Sequence, residues 1–448
     1  MNSVNELGSA PISLLLRRYS VPAIISMVVS SLYNVIDSIY IGHIDGIGAA
    51  CLTALAIAFP LMNLSAAFGS LIGAGGSTLV SIKLGEKDNE AADWVLGNVI
   101  SLNIIVGLLL MVFGLCFLDE ILVIFGATED AMEPAKDFMT IILLGGTVTH
   151  LFLGLNNVMR ASGNPNTAML NTLLTVVLNI ILAPLFIYVF DLGIKGAALA
   201  TITSQFCSLC LLFHFFKIGK SILRISVQKL RLRMQIFRSI FSIGVAPFML
   251  NALACLVAII MNNSLGKYGG GDAIAAYGIV FRVMTIGAMI VLGLNQGMQP
   301  IAGYNYGARN MDRVRMVFRT TVIRATVVMV CLFACCQLFP SAITAIFSSE
   351  DGNEKLFEMS EYGLRVASLM MPLVGFQMVT VNFFQSIGRA KISLMMSSTR
   401  QLLILIPLLL ILPRFFGIDG VWFSLPVSDF ISSLIAFIVL RCSYKKIS

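Results

Sequence analysis

The chain has 448 residues, of which 58% are hydrophobic and only 12% charged, and its formal net charge is +7. Soluble globular proteins carry about 25% charged residues, so this composition excludes a soluble globular protein and predicts an integral membrane protein. The positive charge is the kind that cytoplasmic loops of membrane proteins carry, and it requires no nucleic acid as a partner.

Long apolar runs recur from one end of the chain to the other. Each is close to the roughly 20 residues that a helix needs to cross the hydrocarbon core of a bilayer. The runs predict twelve membrane-spanning helices, at 14–41, 50–82, 94–118, 135–160, 167–190, 196–216, 237–265, 273–303, 316–346, 357–386, 392–413 and 420–440. We therefore expect an all-α integral membrane protein that is embedded in a lipid bilayer.

The first predicted helix contains a carboxylate, Asp37. An ionised aspartate at bilayer depth costs roughly 3 kcal/mol or more, so such a residue usually faces a cavity, a partner or a substrate path. The alternative is a polar residue near the outer end of its helix, in contact with water and without a function. The position of Asp37 alone leaves both interpretations open.

Lysine and arginine are unevenly distributed between the two sides of the predicted membrane. Loops on one side carry most of them, whereas loops on the other side carry mainly acidic residues, among them Asp119, Glu120 and Glu129. Because basic loops tend to stay in the cytoplasm, we expect both termini to be cytoplasmic. This requires an even number of spans, which twelve satisfies.

The most basic loop lies near the middle of the chain and predicts a link between two halves. This link, 217–236, separates an N-terminal six-helix lobe, 1–216, from a C-terminal one, 237–448. The halves also repeat in sequence, since Gly193-Ile194-Lys195-Gly196 corresponds to Gly417-Ile418-Asp419-Gly420. Six spans per half give parallel repeats related by a pseudo-twofold axis along the membrane normal. This is a common transporter design, with the substrate site between the halves.

Several stretches resemble signature segments of multidrug and toxic compound extrusion (MATE) transporters. Gly293 to Ala308 resembles the eighth-helix signature of that family, and Gly73 to Glu86 resembles its second-helix counterpart. The loops after helices four and ten match at Arg160-Ala161-Ser162-Gly163 and Gln385-Ser386-Ile387-Gly388. The resemblance covers essentially the whole chain. Its segment spacing is most similar to the DinF-like branch, which includes the MepA-type pumps.

This resemblance implies a V-shaped pair of six-helix bundles that alternates between outward-open and inward-open forms. It implies export of small amphipathic, often cationic compounds in exchange for H⁺ or Na⁺, by a monomer in the bacterial cytoplasmic membrane. Asp37 matches the coupling aspartate of the first helix, and Pro22 matches the proline at which that helix is proposed to bend. Asn179 and Thr201 match a fifth-helix asparagine and a sixth-helix threonine.

The chain departs from the family pattern in the fifth helix. It reads Asn179-Ile180-Ile181-Leu182-Ala183-Pro184, with alanine where the family usually has a second carboxylate. Residues 179 and 183 are one turn apart and share a helix face, so the missing acid would have pointed into the same site. Hard cations prefer clustered oxygen ligands, whereas a proton needs one titratable group. The sequence therefore favours H⁺ coupling through Asp37 and leaves Na⁺ open.

Polar and flexible side chains inside the predicted helices are candidates for the substrate cavity. Amides supply polar contacts to a ligand or to neighbouring helices, and methionines repack around varied apolar compounds. Intramembrane arginines bind anionic groups or pair with carboxylates, and Arg400 with Asp429 is a candidate structural pair. The cavity candidates are Tyr33, Asn34, Asn156, Asn157, Arg282, Met284, Gln296 and Gln385.

Two other functions compete with drug export. A flippase of lipid-linked precursors would need several cationic side chains around the cavity, for which Arg282 and Arg365 are the candidates, and such flippases commonly have fourteen spans. A membrane-embedded enzyme would need paired aspartate-rich motifs or His-Glu-x-x-His, and the sequence has neither. The nine cysteines lie mostly in apolar runs, which is typical of buried hydrophobic residues. We therefore expect no enzyme activity, no cofactor and no bound metal.

Overall fold

The computed structural model describes residues 6–44, 46–218, 221–347 and 354–444. Helices dominate because backbone groups in a bilayer must find their hydrogen-bond partners within the chain. The first half forms α1 Glu6–Ser9, α2 Ile12–Gly42, α3 Gly48–Gly85, α4 Asn89–Cys116, α5 Leu118–Ile124, α6 Glu129–Leu144, α7 Gly146–Ala161, α8 Pro165–Pro184, a π-helical segment Leu185–Val189 and α9 Gly193–Lys217. The second half forms a 3₁₀ turn Val227–Leu230, α10 Met234–Gly307, α11 Met311–Leu338, α12 Pro340–Ala345, α13 Glu354–Ser368, α14 Met371–Ser386, α15 Ala390–Ser398, a π-helical segment Thr399–Leu405 and α16 Ile406–Tyr444.

The number of membrane crossings follows from the lengths of these helices. Within the described ranges, eight helices are long and apolar enough to span a bilayer, and two pairs bent by 52° and 53° raise the number to ten. Two of the eight count twice. The 74 residues of α10 would measure about 110 Å if straight, and its backbone breaks at Gly270. The 54-residue segment Ala390–Ser443 breaks likewise at Gly417. The prediction of twelve spans in an all-α membrane protein is confirmed.

The sequence repeat between the halves is visible in the backbone. Gly193 and Gly417 occupy corresponding positions and have φ angles of 53° and 58°, in the left-handed region that favours glycine. Asp88 and Asn310 start α4 and α11 as corresponding N-caps: the side chain of each accepts a hydrogen bond from the backbone N–H three residues on, at 2.9 Å and 3.4 Å. Such caps satisfy helix donors that have no partner within the helix. The two six-helix lobes therefore start and turn their helices in the same way.

The lobes approach each other closely at the ends of α3 and α10 that lead into basic loops. A Cβ atom on Gly85 would overlap the carbonyl oxygen of Tyr304, and one on Gly307 would overlap that of Ile82. The N-terminal segment of the chain also contacts the second lobe. Arg313 of α11 donates hydrogen bonds to the carbonyl oxygens of Leu7 and Ala10, at 3.2 Å and 2.6 Å. The ends of the lobes are thus packed backbone against backbone.

The described part of the predicted interlobe link, from residue 221 onward, is fixed to α4. Asp93 forms an ion pair with Lys229 (2.8 Å) and accepts a hydrogen bond from the backbone N–H of Arg224 (2.9 Å). The guanidinium of Arg233 lies 3.3 Å from the centre of the Trp94 ring, a distance suited to a cation–π interaction. The link therefore packs with the N-terminal lobe up to the start of α10.

We expect Asp93→Ala to lower the free energy of unfolding by about 1–3 kcal/mol, because it leaves Lys229 and the Arg224 N–H without their acceptor. Chemical denaturation of the purified protein in detergent micelles measures this change. The control is Asp312→Ala, which removes an exposed partner of Arg315 at 3.5 Å. We expect that change to stay within about 0.5 kcal/mol of wild type, and equal effects of the two variants would contradict a structural role for Asp93.

Candidate functional site

Asp37 lies in the second half of α2 and is almost fully buried, with 7% of its surface exposed. Its helix packs against α8. Among the described residues, the carboxylate oxygen Oδ1 has no hydrogen-bond partner and no contact with solvent. A buried carboxylate without a partner is costly when ionised, so the interpretation of Asp37 as a residue in contact with water does not fit its burial.

Asn179, Thr201 and Tyr33 meet in one hydrogen-bonded cluster. The amide Nδ2 of Asn179 donates to the hydroxyl Oγ1 of Thr201 at 3.1 Å, and the Tyr33 hydroxyl lies 3.1 Å from the same oxygen. Tyr33 and Asp37 are four residues apart on α2, so their side chains share a helix face. The structure therefore brings α2, α8 and α9 together through the residues that the sequence selected, with the Asp37 carboxyl on the same face of α2 as Tyr33.

Ala183 is fully buried in an apolar cluster and not in this polar one. The cluster includes Ile41 of α2 and Ile187 of the π-helical segment. A carboxylate at position 183 would lie among these hydrophobic side chains. Where the family pattern usually has a second acid, this chain therefore has an apolar residue in the cluster that joins α8 to the C-terminal end of α2.

Pro22 interrupts the hydrogen bonding of α2 without ending the helix, which runs unbroken from Ile12 to Gly42. A proline inside a helix removes one N–H donor and crowds the preceding turn. Next to it, the Ser26 hydroxyl donates to the Pro22 carbonyl oxygen at 2.9 Å. Pro22 therefore removes a backbone hydrogen bond from a continuous helix, and its role as a hinge stays a prediction.

A cavity of about 450 Å³ lies between the two lobes. Helices α2, α3, α7 and α8 of the first lobe and α10, α14 and α15 of the second contribute to its wall. Four of the predicted cavity residues line it, namely Asn156, Asn157, Gln296 and Gln385. The wall combines amide and hydroxyl groups with apolar side chains such as Met27 and Phe152, a composition typical of small-molecule sites.

The other four predicted cavity residues lie elsewhere. Tyr33 belongs to the Asn179–Thr201 cluster, and Asn34 is exposed on α2. Arg282 is exposed on α10, and Met284 packs beside a hydrophobic cluster of the second lobe. None of them is among the residues that line the 450 Å³ cavity. The sequence predicted how deep in the membrane these residues lie, but not which side of the helix their side chains occupy. The rotation of each helix therefore decides whether a residue lines the cavity.

Arg160 is a cavity residue that the sequence did not identify. Its position three residues before Gly163 suggested that it belongs to a basic loop. The structure instead places Arg160 in the last turn of α7, which extends to Ala161, and only 7% of the residue is exposed. Its Nη1 donates a hydrogen bond to Oε1 of Gln296 in the other lobe. The sequence signal was its place within the last turn of an apolar helix.

The candidate pair of Arg400 and Asp429 is present in the second lobe. The Arg400 Nε and Nη2 atoms lie 2.9 Å and 2.8 Å from Asp429 Oδ1. His150 of the first lobe is also buried, and its Nε2 lies 3.1 Å from the Ser65 hydroxyl. Both arrangements join neighbouring helices within one lobe, and neither residue set lines the cavity.

Comparison with known proteins covers nearly the whole chain. The MatE family model matches residues 22–185 and 247–411, one segment in each lobe. The multidrug export protein MepA of Staphylococcus aureus (strain NCTC 8325 / PS 47) is 27% identical over 431 residues, which cover 96% of this chain and 94% of MepA.

Two solved structures share the fold. One is the outward-facing conformation of a multidrug resistance MATE family transporter of the MOP superfamily, with a TM-score of 0.93, 23% identity, and coverage of 100% of this chain and 99% of that one. The other is a MATE crystal structure in the bent conformation, with a TM-score of 0.93, 24% identity, and coverage of 100% and 98%.

Proposed function

Because this chain belongs to the MatE family, we propose that it is a multidrug exporter that moves small amphipathic compounds out of the cytoplasm in exchange for H⁺. The observation that supports this function best is the position of Asp37, a buried carboxylate without a partner for Oδ1 among the described residues, in the lobe that also forms half of the cavity. The S. aureus relative is a multidrug export protein, and the match covers 96% of this chain and 94% of that protein, which supports the same activity.

The position of the cavity supports transport by alternating access. The lobes are packed together at the ends that lead into basic loops, where Gly85 and Gly307 meet the opposite lobe. Basic loops belong to the cytoplasmic side, so this end of the cavity is closed toward the cytoplasm and release is outward. An inward-open form requires these glycine contacts to separate.

A proton is the coupling ion that this site favours. Protonation of Asp37 removes a buried charge. The neutral carboxyl then has an O–H group that can donate a hydrogen bond to a new acceptor. Asn179 and Thr201 already satisfy each other at 3.1 Å, and position 183 adds an apolar methyl group instead of a second carboxylate. We infer that proton entry at Asp37 shifts α2 near Pro22, changes the first-lobe wall of the cavity and releases the drug.

The flippase alternative is less well supported by the cavity. A pyrophosphate headgroup needs several cationic partners, but Arg282 and Arg365 are exposed and away from the lining residues. Arg160 supplies a single guanidinium instead. One cation in a cavity of about 450 Å³ suits one small anionic group better than a lipid-linked pyrophosphate.

Drug efflux from proteoliposomes tests the proposed function directly. We expect wild-type protein to drive efflux of a fluorescent drug under an inward H⁺ gradient, and not under an Na⁺ gradient of equal size at constant pH. An ionophore that dissipates the H⁺ gradient should stop efflux. Efflux driven by Na⁺ alone would contradict H⁺ coupling, and no efflux under any cation gradient would contradict cation-coupled drug export.

A further inference from the structure

The cavity between the lobes contains one charged side chain among the described residues that line it, and that charge is positive. It belongs to Arg160, whereas the other polar lining groups are amides and hydroxyls such as those of Asn157, Asn382 and Ser70. Asp37 is not part of the lining. The electrostatic potential inside the cavity is therefore set by a guanidinium.

The Arg160 guanidinium makes few hydrogen bonds for its degree of burial. It is 7% exposed, and its one hydrogen-bond acceptor among the described residues is Oε1 of Gln296. A guanidinium has five N–H donors, and a buried charge needs several acceptors or an opposite charge to offset its loss of water. The end of α7 contributes favourable partial charge but does not occupy the donors that face the cavity.

The acceptor that Arg160 uses comes from the opposite lobe. Arg160 is on α7 and Gln296 is on α10, so their hydrogen bond joins the two lobes and would break if the lobes separated at this end. Separation of the lobes removes the acceptor and leaves the guanidinium open to the cavity. A neutral amide is a weaker partner for a guanidinium than a carboxylate, which accepts two parallel hydrogen bonds.

We propose that Arg160 binds an anionic oxygen group, a carboxylate, of the exported compound, and that Gln296 replaces this group as the acceptor when the lobes close. The inference rests on the proposed export function and specifies its substrate class: amphipathic zwitterions and acids rather than compounds that carry only positive charge. Exchange of the substrate carboxylate for the Gln296 amide links substrate release to closure of the cytoplasmic side.

A matched pair of ligands tests this without any variant. Norfloxacin carries a carboxylate, and its methyl ester has the same ring system without the negative charge. We expect wild-type protein in lipid nanodiscs to bind norfloxacin about 10- to 100-fold more tightly than the ester, as measured by ligand fluorescence, because a charge-assisted hydrogen bond is lost. Equal affinities of wild type for the acid and the ester would overturn the proposal.

Variants then locate the effect. We expect Arg160→Gln to bind both ligands equally and Arg160→Lys to keep the preference for the acid. Gln296→Leu removes the competing acceptor and should tighten norfloxacin binding while the ester is unaffected. Asn157→Ala, a change in an uncharged lining residue, should alter both affinities by the same factor. A preference for the acid that survives in Arg160→Gln would overturn the assignment to Arg160.

Transport of the same pair separates this inference from the proposed function. If both ligands are exported equally well under an H⁺ gradient, the chain is an exporter and the role of Arg160 is wrong. If neither ligand nor a cationic dye is exported, the export function itself is wrong and the substrate class fails with it. Preferential export of norfloxacin supports both.

Discussion

Export by Asp37→Asn should fall to the level of protein-free vesicles, while the protein inserts and folds as the wild type does. Asparagine has nearly the shape of a protonated aspartate but does not titrate, so it fixes the site in one state of the cycle. The side chain is 7% exposed, and the hydrogen bond between Asn179 and Thr201 does not depend on it. Removal of a buried carboxylate whose Oδ1 has no hydrogen-bond partner among the described residues should leave the free energy of unfolding unchanged or higher.

Efflux under an H⁺ gradient, normalised to the amount of reconstituted protein, measures this effect. Asp130→Asn is the matched control, because it makes the same chemical change at an exposed acidic residue and should leave efflux unchanged. Binding of drug to purified Asp37→Asn should persist, which shows that the cavity is intact. Normal H⁺-driven efflux by Asp37→Asn would rule out this carboxyl as the coupling group.

Gly244→Ala is expected to separate the two lobes where α10 packs against α3. A Cβ atom at Gly244 of α10 would overlap the carbonyl oxygen of Leu71, and one at Gly75 of α3 would overlap that of Ile240. The obstruction is backbone, which has no alternative rotamer, so the helices must separate. Overpacking of this kind typically costs about 1–3 kcal/mol, which changes the ratio of closed to open forms by roughly 5- to 150-fold.

Hydrogen–deuterium exchange measures this opening. Amides near the contact, in the segments around residues 71–85 and 240–248, should exchange faster in Gly244→Ala, and drug efflux should fall because the closed form is rarer. Gly278→Ala is the control, since a Cβ atom there meets nothing within 4 Å; Gly278 lies in the part of α10 that follows the break at Gly270. Unchanged exchange in Gly244→Ala would show that these backbone contacts do not hold the lobes closed.

Most of the fold was predictable because a bilayer imposes a simple rule on sequence. Each crossing needs about 20 apolar residues with internally satisfied backbone groups, so apolar runs alone gave the twelve spans. The sequence repeat that contains Gly193 and Gly417 likewise indicated the same backbone conformation at both positions, where φ is 53° and 58°. The bends of about 50° within the fourth and tenth spans were not predicted, although Gly145-Gly146 lies at the first break and Pro372 at the second, and glycine and proline are common causes of helix kinks.

The contact between Asn179 and Thr201 was predictable from motif positions, and the cavity was predictable only in part. The family pattern selected Asn179 and Thr201, and the structure joins them by a hydrogen bond. The cavity depends on which way each helix face turns, and that left Arg282 and Met284 outside it and Arg160 inside. A basic residue before a glycine-containing turn is typical of a cytoplasmic loop, and only its place in the last turn of α7 distinguished Arg160 from the basic residues of such loops.

The sequence by itself determined the membrane class, the number of spans, the two-lobed organisation and Asp37 as the candidate coupling acid. These depend on local hydrophobicity, charge and motif spacing, which are properties of the chain alone. Only the tertiary structure decided that Gly75 and Gly244 join the lobes, that Ala183 lies among apolar side chains, and that Arg160 faces Gln296 across the cavity. Each of these depends on the rotation of one helix against another, and packing between distant segments fixes that rotation.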